Sequence, residues 1–199
     1  MNRPPKFAGI VFHASAATGS RLPLSRAEVA IAGRSNAGKS SAINALAGRN
    51  RLAFVSKSPG RTQLLNFFDL GAGRFLVDLP GYGFAKVPRK IQADWKDMIS
   101  DYLQTREMLK GLVVAMDVRR PLTPLDWQLL GWFEGTAKPV HILLTKADKL
   151  SRQQAEIQRR DTVRQLSASG DKVSVQLFSA VARSGIEELE EVIGTWLAA

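Results

Sequence analysis

The chain has 199 residues, 45% apolar and 23% charged, the composition of an ordinary globular domain, which excludes disordered, collagen-like and low-complexity architectures. It has no cysteine and only two histidines, His13 and His141, which removes disulfide frameworks, thiolate zinc sites, iron–sulfur clusters, cysteine nucleophiles and a histidine-rich metal centre. The formal net charge is +10 and uneven: residues 1–81 carry 11 Lys/Arg against 3 Asp/Glu. That excess predicts an electropositive face for a polyanion such as nucleic acid, although scattered surface cations that only aid solubility give the same count.

Residues 1–26 read as a basic N-terminal extension, lying against the domain or mobile, ahead of a single domain over 27–199. Its apolar stretch 7–12 stops at His13, short of the roughly 7–15 apolar residues of a secretory core. Pro4 and Pro5 oppose the amphipathic helix of a transit peptide, and no apolar run is long enough to cross a bilayer. A cytoplasmic chain with no membrane role is expected.

The first predicted strand is 28–32. It runs into Gly33, Arg34, Ser35, Asn36, Ala37, Gly38, Lys39 and Ser40, which match G-x-x-x-x-G-K-[ST] ahead of a helical run at 41–47. Strand, glycine-rich turn and helix start are what a phosphate cradle needs: backbone N–H groups curl around one point, and the helix adds its positive end. Lys39 then reaches the β- and γ-phosphates, and the Ser40 hydroxyl suits Mg²⁺. Strands 64–70 and 74–79 are joined by the short turn 71–73, which makes them antiparallel neighbours. Asp78, Leu79, Pro80 and Gly81 close the second of them. At that position a carboxylate serves magnesium, through water, and a glycine N–H serves the γ-phosphate where a Cβ would crowd it.

Helix 90–106 carries Ile91, Trp95, Met98, Ile99, Tyr102 and Leu103 on one face, a core pattern. Strand 111–117 follows, then helix 124–133 with Thr123 as cap and Pro124 in its first turn. Strand 139–145 ends in Thr145, Lys146, Ala147 and Asp148. The Asp148 carboxylate can accept from both N–H donors on the guanine edge, donors that adenine lacks, while the Lys146 stem lies across the base. Helix 152–167 opens on a Ser151–Gln154 capping box, and strand 173–178 leads through Phe178 to Ser179 and Ala180, where a backbone N–H can meet guanine O6. Helix 185–197 closes the chain behind a Ser184–Glu187 box. The alternation predicts an α/β three-layer sandwich with about six strands in a mainly parallel sheet, and the phosphate and guanine motifs at its strand ends make it a P-loop NTPase G domain.

The set GRSNAGKSS at 33–41, SPGRTQ at 58–63, VDLPGYGFA at 77–85, Asp117-Val118-Arg119, and TKAD at 145–148 resembles the EngB (YihA/YsxC) family, within the TrmE-Era-EngA-EngB-septin-like GTPases. The resemblance covers roughly residues 20–199. It implies GTP and GDP as ligands, with Ser40 and Thr62 on Mg²⁺ and Asp78 behind water. Gly60, Arg61, Thr62, Gln63 and Leu64 would close over the phosphates as the first switch, and Asp78–Gly81 would begin the second. It further implies a ribosome-biogenesis factor acting on the large subunit and its rRNA, and a link to cell division and septation; a monomer is the default expectation, which the resemblance does not set.

Tyr82 stands where many regulatory GTPases place a water-orienting glutamine, so slow intrinsic hydrolysis is expected. No catalytic residue is identified beyond the neighbourhood of Thr62 and Gly81. Asn36 resembles the K⁺ ligand of potassium-activated relatives, where the ion would stabilise charge between the phosphates. An asparagine that only caps the loop fits as well. Basic residues in both switch segments (Lys57, Arg61, Lys86, Arg89, Lys90) favour nucleotide-gated RNA contact. A signalling or trafficking GTPase with a protein effector, or a nucleotide-dependent scaffold for division proteins, are the readings from other classes.

Overall fold

The computed structural model describes residues 6–17, 22–49, 51–53, 64–83, 89–167 and 172–199. Its strands are β1 (Val11–Ala16), β2 (Ala27–Gly33), β3 (Leu65–Asp69), β4 (Arg74–Asp78), β5 (Leu109–Asp117), β6 (Val140–Thr145) and β7 (Val173–Leu177). The helices are α1 (Lys39–Leu46), α2 (Arg89–Thr105), α3 (Pro124–Glu134), α4 (Arg152–Leu166) and α5 (Ile186–Ala198). They form one sheet in the order β1-β3-β4-β2-β5-β6-β7. The five strands β4, β2, β5, β6 and β7 are mutually parallel, whereas β3 runs antiparallel to both β4 and β1.

Every residue of β2 and of β6 is buried, as their continuous apolar runs require of strands covered on both faces. The period of two then sorts side chains between layers. Ala30, Ala32, Leu112, Val114 and Met116 face the core that holds Ile99, Tyr102, Leu129 and Phe133 of α2 and α3. Val29, Ile31 and Val113 face the opposite core, with Ile43 and Leu46 of α1 and Leu189 and Ile193 of α5. Among the described residues no helix is long and apolar enough to cross a membrane.

The eleven expected elements form within two residues of their expected ends. Two expectations need correction. The sheet has seven strands rather than six, because residues 11–16 of the extension pair with β3, from Val11 opposite Asp69 to Ala16 opposite Leu65. The pattern there is poor: only Ala16 is buried, and the register slips between Phe12 and Ala14. Beside its ladder with β3, the strand is held by aromatic contacts, Phe12 on Phe68 of β3 at 6.0 Å and His13 on Phe75 of β4 at 5.1 Å. His13, which seemed to interrupt an apolar run, is one of its anchors.

The second correction concerns α5. It starts from Gly185 in the left-handed region, with no side-chain cap. Ser184 is committed elsewhere, exchanging backbone hydrogen bonds with Ser179 at 3.0 and 3.1 Å to close the 179–184 loop. The other caps form: Ser151 and Gln154 bond reciprocally at 3.3 and 3.0 Å, and Pro124 opens α3 behind Thr123.

Candidate nucleotide-binding site

All the motif loops that are described emerge at the C-terminal edge of the parallel strands, where open α/β sheets bind ligands. Strand register sets who meets whom. Ile31 of β2 lies opposite Asp78 of β4, and Asp117 of β5 opposite Thr145 of β6. Asp78 therefore ends beside the loop that β2 feeds, and the Thr145–Asp148 segment leaves its strand beside Asp117.

The phosphate-type loop runs from Gly33 to α1. Gly33 is required by packing: a Cβ there would stand 2.7 Å from the Ala115 carbonyl of β5. Gly38 has a φ of 94°, and a Cβ on it would press to 3.1 Å against the Thr145 side chain. Gly81 is not packed in this way. A Cβ there would meet the protein only at an ordinary 3.6 Å, at Gly33 and Ser35, so crowding within the chain does not demand glycine.

Lys39 forms an ion pair with Asp78, both side chains about nine-tenths buried. Ser40 lies next to it in the first turn of α1, partly buried. Leu79 N–H donates to the Ile31 carbonyl at 2.9 Å, and Ser35 N–H to the Tyr82 carbonyl at 2.8 Å, so the segment 78–82 is laced to the P-loop strand and turn. Leu79 and Pro80 are buried.

The base-side loop is bonded to the same turn. Thr145 Oγ1 donates to the Ala37 carbonyl, and Lys146 Nζ donates to the Asn36 carbonyl at 2.6 Å and to Asp117 at 3.0 Å. Asn36 itself is exposed and left-handed, at φ 63°. Ala147 N–H bonds the Phe178 carbonyl at 3.1 Å, and Phe178 N–H bonds the Leu144 carbonyl at 2.8 Å, joining the two base-side segments. The Phe178 ring is in the core, so this residue serves through its backbone. Ser179 Oγ donates to Asp148 at 2.5 Å, and that bond is the main cause that lowers the Asp148 carboxyl below its ordinary range. Ser179 N–H is taken by the Ser184 carbonyl at 3.1 Å, which makes Ala180 the member of the pair whose N–H a base would need.

Gly33–Ser40, Asp78–Gly81, Thr145–Asp148 and Phe178–Ala180 are thus one contiguous constellation. Leu64 precedes β3 and is partly buried. Gly60, Arg61, Thr62 and Gln63 lie outside the described residues, as do Lys57 and Lys86.

Two residues at this edge, Asp117 and Asp126, receive no site role from the sequence, although Asp117 stands in the Asp117-Val118-Arg119 motif. Asp117 is gripped by Arg119 through two guanidinium bonds, 2.9 and 2.6 Å, and by Lys146. Arg119 foremost, then Lys146, hold its carboxyl far below the usual carboxylate range against the opposing effect of burial. Its signal in the chain was its place at a strand end, the same one that marked Asp78. Asp126 in α3 is wholly buried and accepts the Tyr82 hydroxyl at 2.7 Å, with Arg34 Nε at 3.4 Å. Burial, then the Asp126 charge, drive the Tyr82 phenol far above its ordinary value. Tyr82 thus points its hydroxyl at α3.

A family model described as 50S ribosome-binding GTPase matches residues 28–146. A probable GTP-binding protein EngB from Methylobacillus flagellatus is 57% identical over 97% of this chain and 94% of its own length. Its counterpart from Thiobacillus denitrificans is 60% identical over 94% of this chain and 90% of its own. A crystal structure of a probable GTP-binding protein engB superposes with a TM-score of 0.69 at 24% identity, covering 86% of this chain and 99% of that one, a likeness of fold.

Proposed function

The chain belongs to the EngB family of GTP-binding GTPases, and on that premise we propose that it is a Mg²⁺-dependent GTPase of slow intrinsic turnover, a nucleotide-gated factor in large-subunit assembly. The observation that carries the reading is the convergence of Lys39, Asp78 and the Thr145–Asp148 loop around one turn, Gly33–Gly38. A nucleotide laid along that edge has its phosphates in the turn and its base at Asp148. Lys39 neutralises phosphate charge and the backbone N–H groups of the turn bind oxygens.

Ser40 and Asp78 fit magnesium: a hydroxyl and a carboxylate are the hard oxygen donors that ion prefers, and they stand beside the Lys39 ammonium that would share the phosphates with it. In this reading Ser40 and Thr62 hold Mg²⁺, with Asp78 behind water, and the ion would offset charge on the phosphate oxygens. Asp148 accepts from the guanine edge, Lys146 lies along the base and Ala180 N–H meets O6. Slow turnover follows from Tyr82, whose hydroxyl is spent on Asp126. K⁺ at Asn36 belongs to the same proposal, and exchanging Na⁺ for K⁺ raises the turnover rate if it is right.

Large-subunit rRNA as partner is supported by the cation excess of residues 1–81 and by the description of the matching family model. We take residues 27–199 as the GTP-binding domain, with 1–26 as its extension, working in the cytoplasm as a monomer. A requirement in division and septation belongs to the same reading. The test is sedimentation with purified large subunits: retention in a non-hydrolysable GTP analogue, release in GDP. Equal retention in both sinks the gated model. For the base, Asp148→Asn shifts preference from guanine to xanthine nucleotides, and wild-type binding of ATP as tight as GTP refutes the assignment.

A further inference from the structure

The β5–α3 connection and the first turn of α3 carry exposed side chains that, apart from the grip of Arg119 on Asp117, the nucleotide site does not use. Arg119 and Arg120 are exposed, and beside them Leu125 and Trp127 stand 40% and 39% exposed. Between residues 118 and 133 the one acidic residue is Asp126. Its carboxylate faces inward and is consumed by the Tyr82 hydroxyl, the Thr123 N–H at 2.8 Å and the Thr123 hydroxyl at 2.7 Å. The outer face of this stretch therefore offers the Arg120 guanidinium and an aromatic plane, and the adjacent Asp117 carboxylate is neutralised by Arg119 and Lys146.

We propose that this face binds RNA, Arg120 and the outer edge of Arg119 meeting backbone phosphates while Trp127 stacks on an unpaired base. The inference rests on the reading that rRNA is the partner and names the surface that would meet it. Charge decides the occupant. Arginine beside an exposed indole is the combination that reads unpaired RNA, phosphate by charge and base by stacking. The apolar part, two side chains flanked by arginines, is small for the dry centre of a protein interface.

The same surface is wired to the phosphate side of the site. Arg34, from the P-loop, donates through Nη2 to the Arg120 carbonyl at 3.0 Å and lies against Asp126. Tyr82 reaches Asp126 from the segment after Gly81, and Leu125 Cδ1 sits 3.1 Å from where a Cβ on Gly83 would be. A shift of residues 81–83 with nucleotide state therefore moves the first turn of α3, which makes RNA affinity at this face nucleotide-dependent.

The experiment titrates the full chain, loaded with a non-hydrolysable GTP analogue, against purified large subunits over a range of salt. Trp127→Ala weakens binding roughly tenfold and Trp127→Phe restores most of it, as stacking requires. Arg120→Ala weakens binding and lowers the slope of log K against log salt by about one. Affinity for the GTP analogue stays at the wild-type value in all three, which shows that they are folded. A photoreactive phenylalanine analogue at position 127 cross-links to rRNA. Wild-type binding that none of these substitutions alters overturns the inference alone, as does a cross-link to ribosomal protein. Failure of the wild type itself to bind overturns the functional reading and this inference with it.

Discussion

Asp117→Asn tests whether the base side of the site is set from β5. In the wild type Lys146 Nζ is divided between the Asn36 carbonyl at 2.6 Å and the Asp117 carboxylate at 3.0 Å, and Arg119 clamps the same carboxylate. Removing the charge leaves a single neutral acceptor for which Lys146 and Arg119 compete, so both are held more weakly. Charge-assisted bonds are worth about 1.5–3 kcal/mol when sheltered. Here the Lys146 and Arg119 side chains are 33% and 49% exposed, so solvent screening reduces the effect. We expect a loss of about 1 kcal/mol, about fivefold in affinity.

The loss falls on GTP and GDP alike, because the Asp117–Lys146 pair sits on the base side and touches the phosphate turn only at the Asn36 main-chain carbonyl. It leaves guanine preference intact, unlike Asp148→Asn. The assay is titration of fluorescent GDP and GTP analogues against wild type, Asp117→Asn, Lys146→Met and the double variant. If Asp117 acts through Lys146, its substitution costs little in the Lys146→Met background. An equal cost in both backgrounds, or a loss confined to GTP, refutes the argument. Because the Asp117 carboxyl is held well below its ordinary value, it stays ionised as pH falls, and its contribution persists from neutrality to below pH ~4.

Tyr82→Phe removes one donor to buried Asp126 while both Thr123 donors remain, so stability falls by about 1–2 kcal/mol in urea unfolding. Intrinsic GTP hydrolysis stays within about twofold; a collapse of kcat with unchanged stability means that the hydroxyl serves the reaction instead. His141 gives a pH signature. The Gln176 amide nitrogen donates to the Gly185 carbonyl at 2.8 Å, which turns its oxygen to accept from His141 Nε2 at 2.8 Å and leaves Nδ1 to accept from Ser174 at 2.7 Å. Burial lowers this imidazole below its ordinary 6.5. The unfolded chain thus binds the proton first as pH drops, and the contribution, complete above pH 6.5, is lost below it at up to about 1.4 kcal/mol per pH unit. Unfolding curves between pH 7 and 5 show a steeper loss for wild type than for His141→Gln, and parallel losses refute it.

The nucleotide loops are legible in the chain because each is a contiguous run at the end of an apolar strand: Gly33–Ser40 after β2, Asp78–Gly81 after β4, Thr145–Asp148 after β6. Register then assembles them with no further information. What is illegible is long-range pairing of polar side chains. Tyr82 and Asp126 are 44 positions apart, and nothing in either neighbourhood says that a helix-cap aspartate takes a phenol. The same holds for Glu28, fully buried in β2, which binds Tyr102 at 2.8 Å from the last turns of α2 and Arg106 at 2.5 Å from just beyond it. β1 escapes notice because an edge strand needs one buried face at most, and a bulge at His13 breaks even that alternation.

These pairings divide the site into two mechanical halves. On the base side, Thr145 and Lys146 bond main-chain carbonyls of Ala37 and Asn36, and Phe178 closes onto Ala147 and Leu144, so the grip on a base is built from backbone that packed strands hold in place. On the phosphate side, Lys39 meets a side-chain carboxylate and the segment 81–83 leans on α3 through Tyr82 and Leu125. That half also has main-chain bonds to the phosphate turn, but its contacts with α3 are made by side chains, which re-form at lower cost than strand register. In the proposed reading a nucleotide stays anchored by its base while loss of a phosphate resets the other half, and the element that follows is the first turn of α3.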